Sequence, residues 1–425
     1  MGLAGMNTPF VPGVTPILTG SGSQSLTEAD KDEMRKVIDK GSLTEGEYGK
    51  KFEIALRTNA QKRFAMLTNS GSSANLVAML AMMEIFKGKG KKVITCATGF
   101  PTTINAILQA GFEVILVDSS VLTLNANMDQ VMSLLDRKDV AGVFLAHTLG
   151  FPYREDELKV QCSLKGKWLA VDACDALGSE IKDHYNINRP VGYFSDVHTY
   201  SFYPAHQIDA IEGGAALSDA PVIDLVMRSY RDWGRDCWCS PNQDNTCGKR
   251  FTQQFGELPS GYDHKYVYSR IGYNLKLTDV QAALGYSQMG RLQQFTDARR
   301  NNFYYMRDML CNLNQYIFLP EYEKEVTPCP FGLPIVLKPM ANQKYNKNEL
   351  VKFLENRQIR TRPIFAGNIV RQPAYRDVNF EIPFRLDDAD YLMNNSLWIG
   401  CHPSLTEEML DYMVESLYQF FGIGG

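Results

Sequence analysis

The stretch "RFAMLTNSGSSANLVAMLAMMEIF", residues 63–86, joins a short apolar run to a longer one through a turn built on Gly71. The first run has the length of a buried strand, and "SSANLVAMLAMMEIF" has the length of a helix. The same alternation continues outward. "KKVITCA" (91–97) precedes "TTINAILQAG" (102–111), and "FEVILVD" (112–118), "VAGVFLAH" (140–147) and "KWLAVDA" (167–173) follow. Continuous Val, Ile and Leu runs separated by helical patterns predict an α/β fold with a large, mainly parallel sheet covered by helices on both faces. Ligands of such sheets bind beyond the carboxyl ends of the strands. The loops at those ends are "TNSGSS", "CATGFP", "AHTLGFP" and "VDACDALGS".

From about residue 290 the texture changes. "MGRLQQFTDARRNNFYYMRDMLCNLN" (289–314) reads as a long polar-faced helix able to bridge domains. "GLPIVLKP" (332–339), "ELVKFLENRQ" (349–358) and "DYLMNNSLWIG" (390–400) read as a smaller α/β domain. The expected division is a large domain over 1–290, with an N-terminal arm of about residues 1–25, and a small domain over 291–425. A chain of 425 residues is long enough for both cores. At the other end of the large domain, "SLTEADKDEMRKVID" (25–39) places Thr27 three residues before Asp30, a helix entrance.

With 44% hydrophobic and 22% charged residues the composition is that of an ordinary soluble protein. A net charge of −4 gives no reason to expect nucleic acid or an anionic membrane as partner. No signal peptide, myristoylation site or membrane-length apolar run is legible, so the expected location is the cytoplasm. Nine cysteines are many for that compartment. Cys96, Cys162, Cys311, Cys329 and Cys401 are scattered and read as small buried hydrophobes. Cys237, Cys239 and Cys247 in "RDCWCSPNQDNTCGKR" (235–250) are spaced C-x-C-x₇-C, which suggests thiolate ligands. That spacing matches neither the paired zinc pattern nor the common ferredoxin patterns, and iron–sulfur, zinc and no metal stay open. Cys174 is a fourth candidate, two residues after Asp172.

"TNSGSSANL" (68–76) offers the N–H groups of a helix start to a phosphate, or is simply a capping turn. Asp172, at a strand's carboxyl end, needs a partner if buried; a protonated pyridine nitrogen is one, and capping a helix is the alternative role. Taken together, "SGSSA" (70–74), "GFPTTINA" (99–106), "VDACDALG" (171–178), "SFYPAHQ" (201–207) followed by "EGG" (212–214), and "RIGYNLKLTDVQAALGYSQM" (270–289) resemble the DegT-type sugar aminotransferase family. The resemblance runs over roughly residues 15–420. It implies the fold-type-I architecture of pyridoxal-phosphate enzymes: a large, mainly parallel αβα sandwich with a smaller C-terminal α/β domain. It also implies that Gly71, Ser72 and Ser201 hold the cofactor phosphate, that Phe100 stacks on the pyridine ring, and that Asp172 pairs with its nitrogen. Asn274 would reach the phosphate in the neighbouring subunit of a homodimer with shared active sites. Asp175 contacts the cofactor or caps its own turn.

The departure is His206, which stands where the family has the lysine that binds pyridoxal covalently. No lysine occurs between Lys182 and Lys249. Pyridoxamine phosphate, held without a covalent bond, suits such a site. A histidine retains the lysine's role as a base toward the cofactor's C4′ carbon. Histidine for lysine, together with C-x-C-x₇-C and the blocks "DWGRDCWC" (232–239), "DNTCGKRF" (244–251), "GYDHKY" (261–266) and "FAGNIVRQPAY" (365–375), resembles one subgroup, the CDP-6-deoxy-L-threo-D-glycero-4-hexulose 3-dehydrases. That resemblance implies a [2Fe–2S] cluster on Cys174, Cys237, Cys239 and Cys247. It further implies a nucleotide-sugar substrate losing its C3 hydroxyl on the way to a 3,6-dideoxysugar, with electrons from a separate NADH-dependent flavin iron–sulfur reductase.

Two features depart from the subgroup: Gln207 replaces a second histidine, and "EIKDHYNINRPVGYFSDVHTY" (180–200) is longer, as for an inserted surface loop. Arg362 and Asn368 are weaker candidates for the sugar diphosphate, Arg362 reading equally as a surface ion pair. His147, in "AHTLGFP" (146–152), faces the cleft or is a hydrogen-bonded structural histidine. His184, His198, His264 and His402 show no spacing that indicates a site. Three rivals remain: a cluster-free, glutamate-coupled pyridoxamine dehydratase of the GDP-colitose type, an inactive scaffold with structural zinc, and an ordinary aminotransferase, which lacks its lysine.

Overall fold

The computed structural model describes residues 9–21, 26–239, 243–341 and 344–423, so of the expected N-terminal arm residues 1–8 and 22–25 lie outside the described residues. In chain order the strands are β1 (Phe64–Thr68), β2 (Lys92–Cys96), β3 (Glu113–Val117), β4 (Val140–Ala146), β5 (Trp168–Asp172), β6 (Glu180–Lys182), β7 (Asn188–Pro190), β8 (Val197–Ser201), β9 (Gly214–Ser218), β10 (Ile317–Phe318), β11 (Val326–Thr327), β12 (Gly332–Leu337), β13 (Thr361–Arg362) and β14 (Ser396–Gly400). Seven of them form one sheet in the order β1-β9-β8-β5-β4-β2-β3. Strands β2, β3, β4, β5 and β8 pair in parallel, while β9 runs antiparallel to both β8 and β1. Six strands therefore end on the same edge of the sheet, and β9 begins there. A Cβ on Gly214, the first residue of β9, would stand 2.3 Å from the Ser70 carbonyl oxygen. Only glycine lets β9 start that close to the turn after β1.

The helix Gly71–Ile85 begins at Ser70, whose hydroxyl accepts the Ser73 N–H. It packs against β8 and β9 of the sheet and against the helices Pro101–Gln109 and Pro221–Arg231. Ala74, Val77, Ala78, Met79, Ala81 and Met82 are all fully buried as a result, which explains why this segment has no polar stripe. The entrance read at Thr27 is present: Thr27 and Asp30 form a capping box for the helix Glu28–Lys40.

A second, antiparallel sheet has the order β10-β12-β14-β13. Leu333, Ile335, Leu350, Leu354, Ile399, Met413 and Leu417 form its core. The run read as one helix over 289–314 is broken. One helix ends at Met289, and the next, Leu292–Met309, stops before a short 3₁₀ turn at Cys311–Leu313. Nor is Leu292–Met309 merely polar-faced, because Leu292 and Phe295 join the core of the large sheet while Phe303 and Met306 join that of the small one. The inserted segment after residue 180 is not a bare loop either. It folds into a hairpin of β6 and β7, and β11 adds a third strand to it. Asp183 fixes the hairpin's turn by accepting the N–H groups of Tyr185 and Ile187 at 2.9 Å each. Among the described residues no helix is long and apolar enough to cross a membrane.

Candidate active site

A cleft of about 960 Å³ opens at the carboxyl edge of the large sheet and is closed on its far side by the small one. Each loop read as a candidate contributes: Gly71 and Ser72 after β1, Phe100 after β2, Thr148 after β4, Asp172, Cys174 and Asp175 at the end of β5, and Ser201 and His206 at the end of β8. Phe331, Arg362 and Trp398 form the opposite wall.

At the cleft floor a Cβ on Gly71 would lie 2.6 Å from the Ser201 Cβ and 2.9 Å from the Cys174 Sγ. A glycine is thus required for β1, β5 and β8 to bring their ends together. The first N–H groups of the helix Gly71–Ile85 have no partner within the helix, and with the hydroxyls of Ser72 and Ser201 they form a donor set suited to a phosphate. Asp172 is buried and anchored. Its Oδ2 accepts from Asn75 Nδ2 at 2.8 Å and from Thr103 Oγ1 at 2.7 Å, and its Oδ1 accepts the Cys174 N–H at 3.1 Å. The Asn75 amide is itself oriented by the Thr199 hydroxyl at 2.6 Å. Phe100 is half exposed at the start of the helix Pro101–Gln109 and meets Phe365 edge to face. A phosphate cradle, an oriented carboxylate and an accessible aromatic face fit a pyridoxal-type cofactor.

His206 sits over this floor with its ring against Phe331, 5.0 Å between centroids. Its Nδ1 is buried without a hydrogen-bond partner and lies 3.7 Å from Asp175 Oδ1, which leaves Nε2 as the nitrogen open to the cleft. Burial, and then the Arg299 guanidinium, push the ring's pKa down to about 3, so the ring is neutral at physiological pH. Asp175 moves the other way, to about 8, through burial and the charge of Asp172. Its backbone carbonyl accepts from the Gln207 side chain, which also donates to the Cys329 carbonyl at 3.3 Å. Gln207 therefore ties the His206 loop to the loop after β5.

Cys237, Cys239 and Cys247 line one small cavity with Asp244, Arg250 and His264, and residues 240–242 of the same loop lie outside the described residues. The Thr246 hydroxyl donates to Cys239 Sγ at 3.0 Å and the Lys249 N–H to Cys247 Sγ at 3.4 Å. Burial raises Cys239, but hydrogen bonds from Thr246, Cys237 and Cys247 together outweigh it and hold that thiol below its ordinary pKa. Cys174 is not with them; it lines the cofactor cleft. Among the described residues no group of three His, Cys, Asp or Glu side chains stands in a metal-holding arrangement. Within one chain the expected four-cysteine set is therefore not assembled.

Other expectations resolve individually. Asn368 is a structural cap, since its Oδ1 accepts the Val370 N–H and its Nδ2 donates to Asp390 at 2.8 Å. It does not line the cleft. Arg362 does, with no carboxylate paired to it among the described residues. Asn274 lies away from its own chain's cleft, where its side chain accepts from Lys276 Nζ at 2.7 Å. His147 is fully buried: Nδ1 accepts the Tyr153 N–H, so Nε2 donates to Glu155 at 2.9 Å. Cys162, Cys329 and Cys401 are buried as expected, but Cys311 is exposed in the 3₁₀ turn. Asn75, Thr103 and Arg299 are new. The only sequence signal for Asn75 is a lone amide inside an apolar helix.

The family model for the DegT/DnrJ/EryC1/StrS aminotransferases matches residues 24–418. The lipopolysaccharide biosynthesis protein RfbH of Salmonella typhimurium is 41% identical, over 98% of this chain and 94% of its own. The dTDP-4-dehydro-2,6-dideoxy-D-glucose 3-dehydratase of Saccharopolyspora spinosa is 40% identical, over 97% of this chain and 88% of its own. Among solved structures, a GDP-4-keto-6-deoxymannose-3-dehydratase with bound GDP-perosamine superposes with a TM-score of 0.83 at 23% identity, covering 94% of this chain and all of that one. That likeness supports the fold: a fold-type-I aminotransferase architecture with a smaller C-terminal α/β domain.

Proposed function

The chain belongs to the DegT/DnrJ/EryC1/StrS aminotransferase family, and from that premise we propose that it removes the C3 hydroxyl of a nucleotide-linked 4-keto-6-deoxyhexose using pyridoxamine phosphate. The observation that carries the reading is His206: a neutral imidazole with Nε2 open to the cleft, over a complete cofactor floor that lacks the lysine of an aminotransferase. The relatives at 41% and 40% identity, one named for lipopolysaccharide biosynthesis and one for a sugar 3-dehydratase, support it.

When bound, pyridoxamine phosphate would supply an amine for the 4-keto group and a ring able to draw electrons away from the sugar's C3. The chain does the rest. Gly71, Ser72 and Ser201 hold the phosphate, Phe100 covers a ring face, and Asp172, oriented by Asn75 and Thr103, holds a proton on the ring nitrogen. His206 takes a proton at Nε2, and Asp175, protonated near neutral pH, adds no negative charge beside it. Arg362 on the opposite wall offers a guanidinium to the sugar diphosphate. Asn274, unused in its own cleft, serves the phosphate of a second subunit in a homodimer. The division at residue 290 is part of the same proposal.

Two routes can complete the reaction. The geometry of the single chain favours the cluster-free one, in which an amino donor such as glutamate restores the cofactor, because Cys174 stands apart from the other three cysteines. The second reading is a [2Fe–2S] centre fed by an NADH-dependent flavin iron–sulfur reductase, with a CDP-linked substrate. The gathering of Cys237, Cys239 and Cys247 around one cavity favours it. Anaerobic purification with iron and sulfide analysis separates the routes. Iron and sulfide in equal amounts, with visible absorption that dithionite bleaches, establishes the cluster. Turnover of a 4-keto sugar nucleotide with glutamate alone establishes the amino-donor route, and no turnover under either condition overturns the dehydratase reading.

A further inference from the structure

Arg299 is a fully buried arginine on the helix Leu292–Met309. Among the described residues no carboxylate pairs with it. Its Nη1 donates to the carbonyls of Pro330 and Phe331 at 3.3 and 3.1 Å, and its Nη2 to those of Ala205 and His206 at 3.3 and 2.9 Å. Its Nε is buried without a partner. A buried cation met by four carbonyls and the Cys401 thiol, with no carboxylate, is costly, and an apolar residue of similar length would fill the same space at less cost. What the guanidinium does that such a residue cannot is clamp two strands of chain. One is the loop that carries His206; the other is the lead into β12 that carries Phe331, against which the His206 ring packs.

We propose that Arg299 is the positioning residue for His206: its fork fixes the ring over the cofactor floor, and its positive charge faces that ring from the helix behind it. This rests on the reading of His206 as the base. The planar fork matters because two parallel donors fix both position and orientation of the loop's carbonyls, as one ammonium cannot. The charged or titratable groups facing the ring are Asp175, from the loop after β5, and Arg299, from the helix behind; Phe331, on the third side, is neutral. The same charge acts on its other buried neighbours, adding to burial in lowering His402 and opposing the upward push of burial on Cys329 and Cys401.

The test uses the full chain labelled with ¹⁵N-histidine, the His206 signal being assigned by its loss in His206→Asn. In the wild type the His206 ring is expected to stay neutral from pH 8 down to pH 5. Arg299→Lys, which keeps the charge, should leave the titration within about half a pH unit yet lower kcat at least tenfold with little change in KM, because the fork is gone. Arg299→Gln, checked for folding by circular dichroism, should raise the titration midpoint by at least one unit, a tenfold change in protonation. Arg307→Met, on the same helix but bonded to the Tyr322 hydroxyl, should change neither. A wild-type His206 that titrates near its ordinary value overturns the proposal even if Arg299→Gln fails to fold. So does a folded Arg299→Gln whose midpoint stays in place. An intact titration pattern in a protein that turns over no sugar nucleotide would leave the Arg299 assignment standing and remove the dehydratase reading instead.

Discussion

At the scale of single residues, His206 gives the sharpest expectations. His206→Asn should cut turnover by about 10²- to 10⁴-fold, the usual contribution of a general base, while pyridoxamine phosphate still binds, as followed by fluorescence titration. The same residue shapes acid stability. Its pKa is about 3 in the fold, against about 6.5 in an unfolded chain. The unfolded state therefore binds the extra proton between those values, and stability falls as pH drops from about 6.5 toward 3, by up to about 1.4 kcal/mol per pH unit from this group. Urea denaturation across that range should show a shallower acid limb in His206→Asn. At Gly71, alanine would press on Ser201 and Cys174. We expect about 1–3 kcal/mol lost in stability, as for other overpacked sites, and at least tenfold weaker cofactor binding by the same titration. His206 and Asp172 were legible because their chemistry depends on residue type and on place at a strand end. Arg299 was not, since an arginine in an amphipathic segment reads as solvent-facing until its helix is seen to be wedged between two cores.

At the scale of elements, Asp172 is held from two helices at once, by Asn75 from Gly71–Ile85 and Thr103 from Pro101–Gln109. Thr103→Val leaves a buried carboxylate short of one donor, a loss of about 1–3 kcal/mol. Chemical denaturation of the cofactor-free protein should show that loss, and saturating pyridoxamine phosphate should recover part of it by binding only the folded state. The parallel strands were legible as continuous apolar runs. The antiparallel direction of β9 was not, because "GAALS" is equally apolar whichever way it runs. The hairpin of β6 and β7 was missed for a related reason: both strands are three residues long and mostly polar, and the second partner of β6, β11, comes some 140 residues later.

For the whole molecule, the alternation of strands and helices sufficed to predict two layers of helix around a parallel sheet and a smaller unit after it. What that alternation could not show is how the two share one cleft, since the far wall comes from Phe331, Arg362 and Trp398. Shared sites in a homodimer make a separate prediction. His206→Asn and Asn274→Ala should each be inactive alone. Mixed after mild dissociation, they should regain about a quarter of wild-type turnover, the statistical share of sites that carry neither change in a symmetric dimer. No recovery in proven mixed dimers would show that Asn274 serves no neighbouring site.

The place of β9 has a consequence for how the protein is made. Strand β1 pairs in the large sheet with residues 214–218, and the loop that carries His206 is clamped by Arg299. Between the ribosome's passage over Gly71 and over Arg231, where its covering helix Pro221–Arg231 ends, roughly eight to thirty seconds elapse at about 5–20 residues per second. Throughout that interval the newborn chain carries one of its greasiest helices before the last of its covering layers has been translated. Vitamin loading therefore belongs after synthesis, and a cell starved of chaperones should lose this protein to aggregates before one starved of vitamin B6 does.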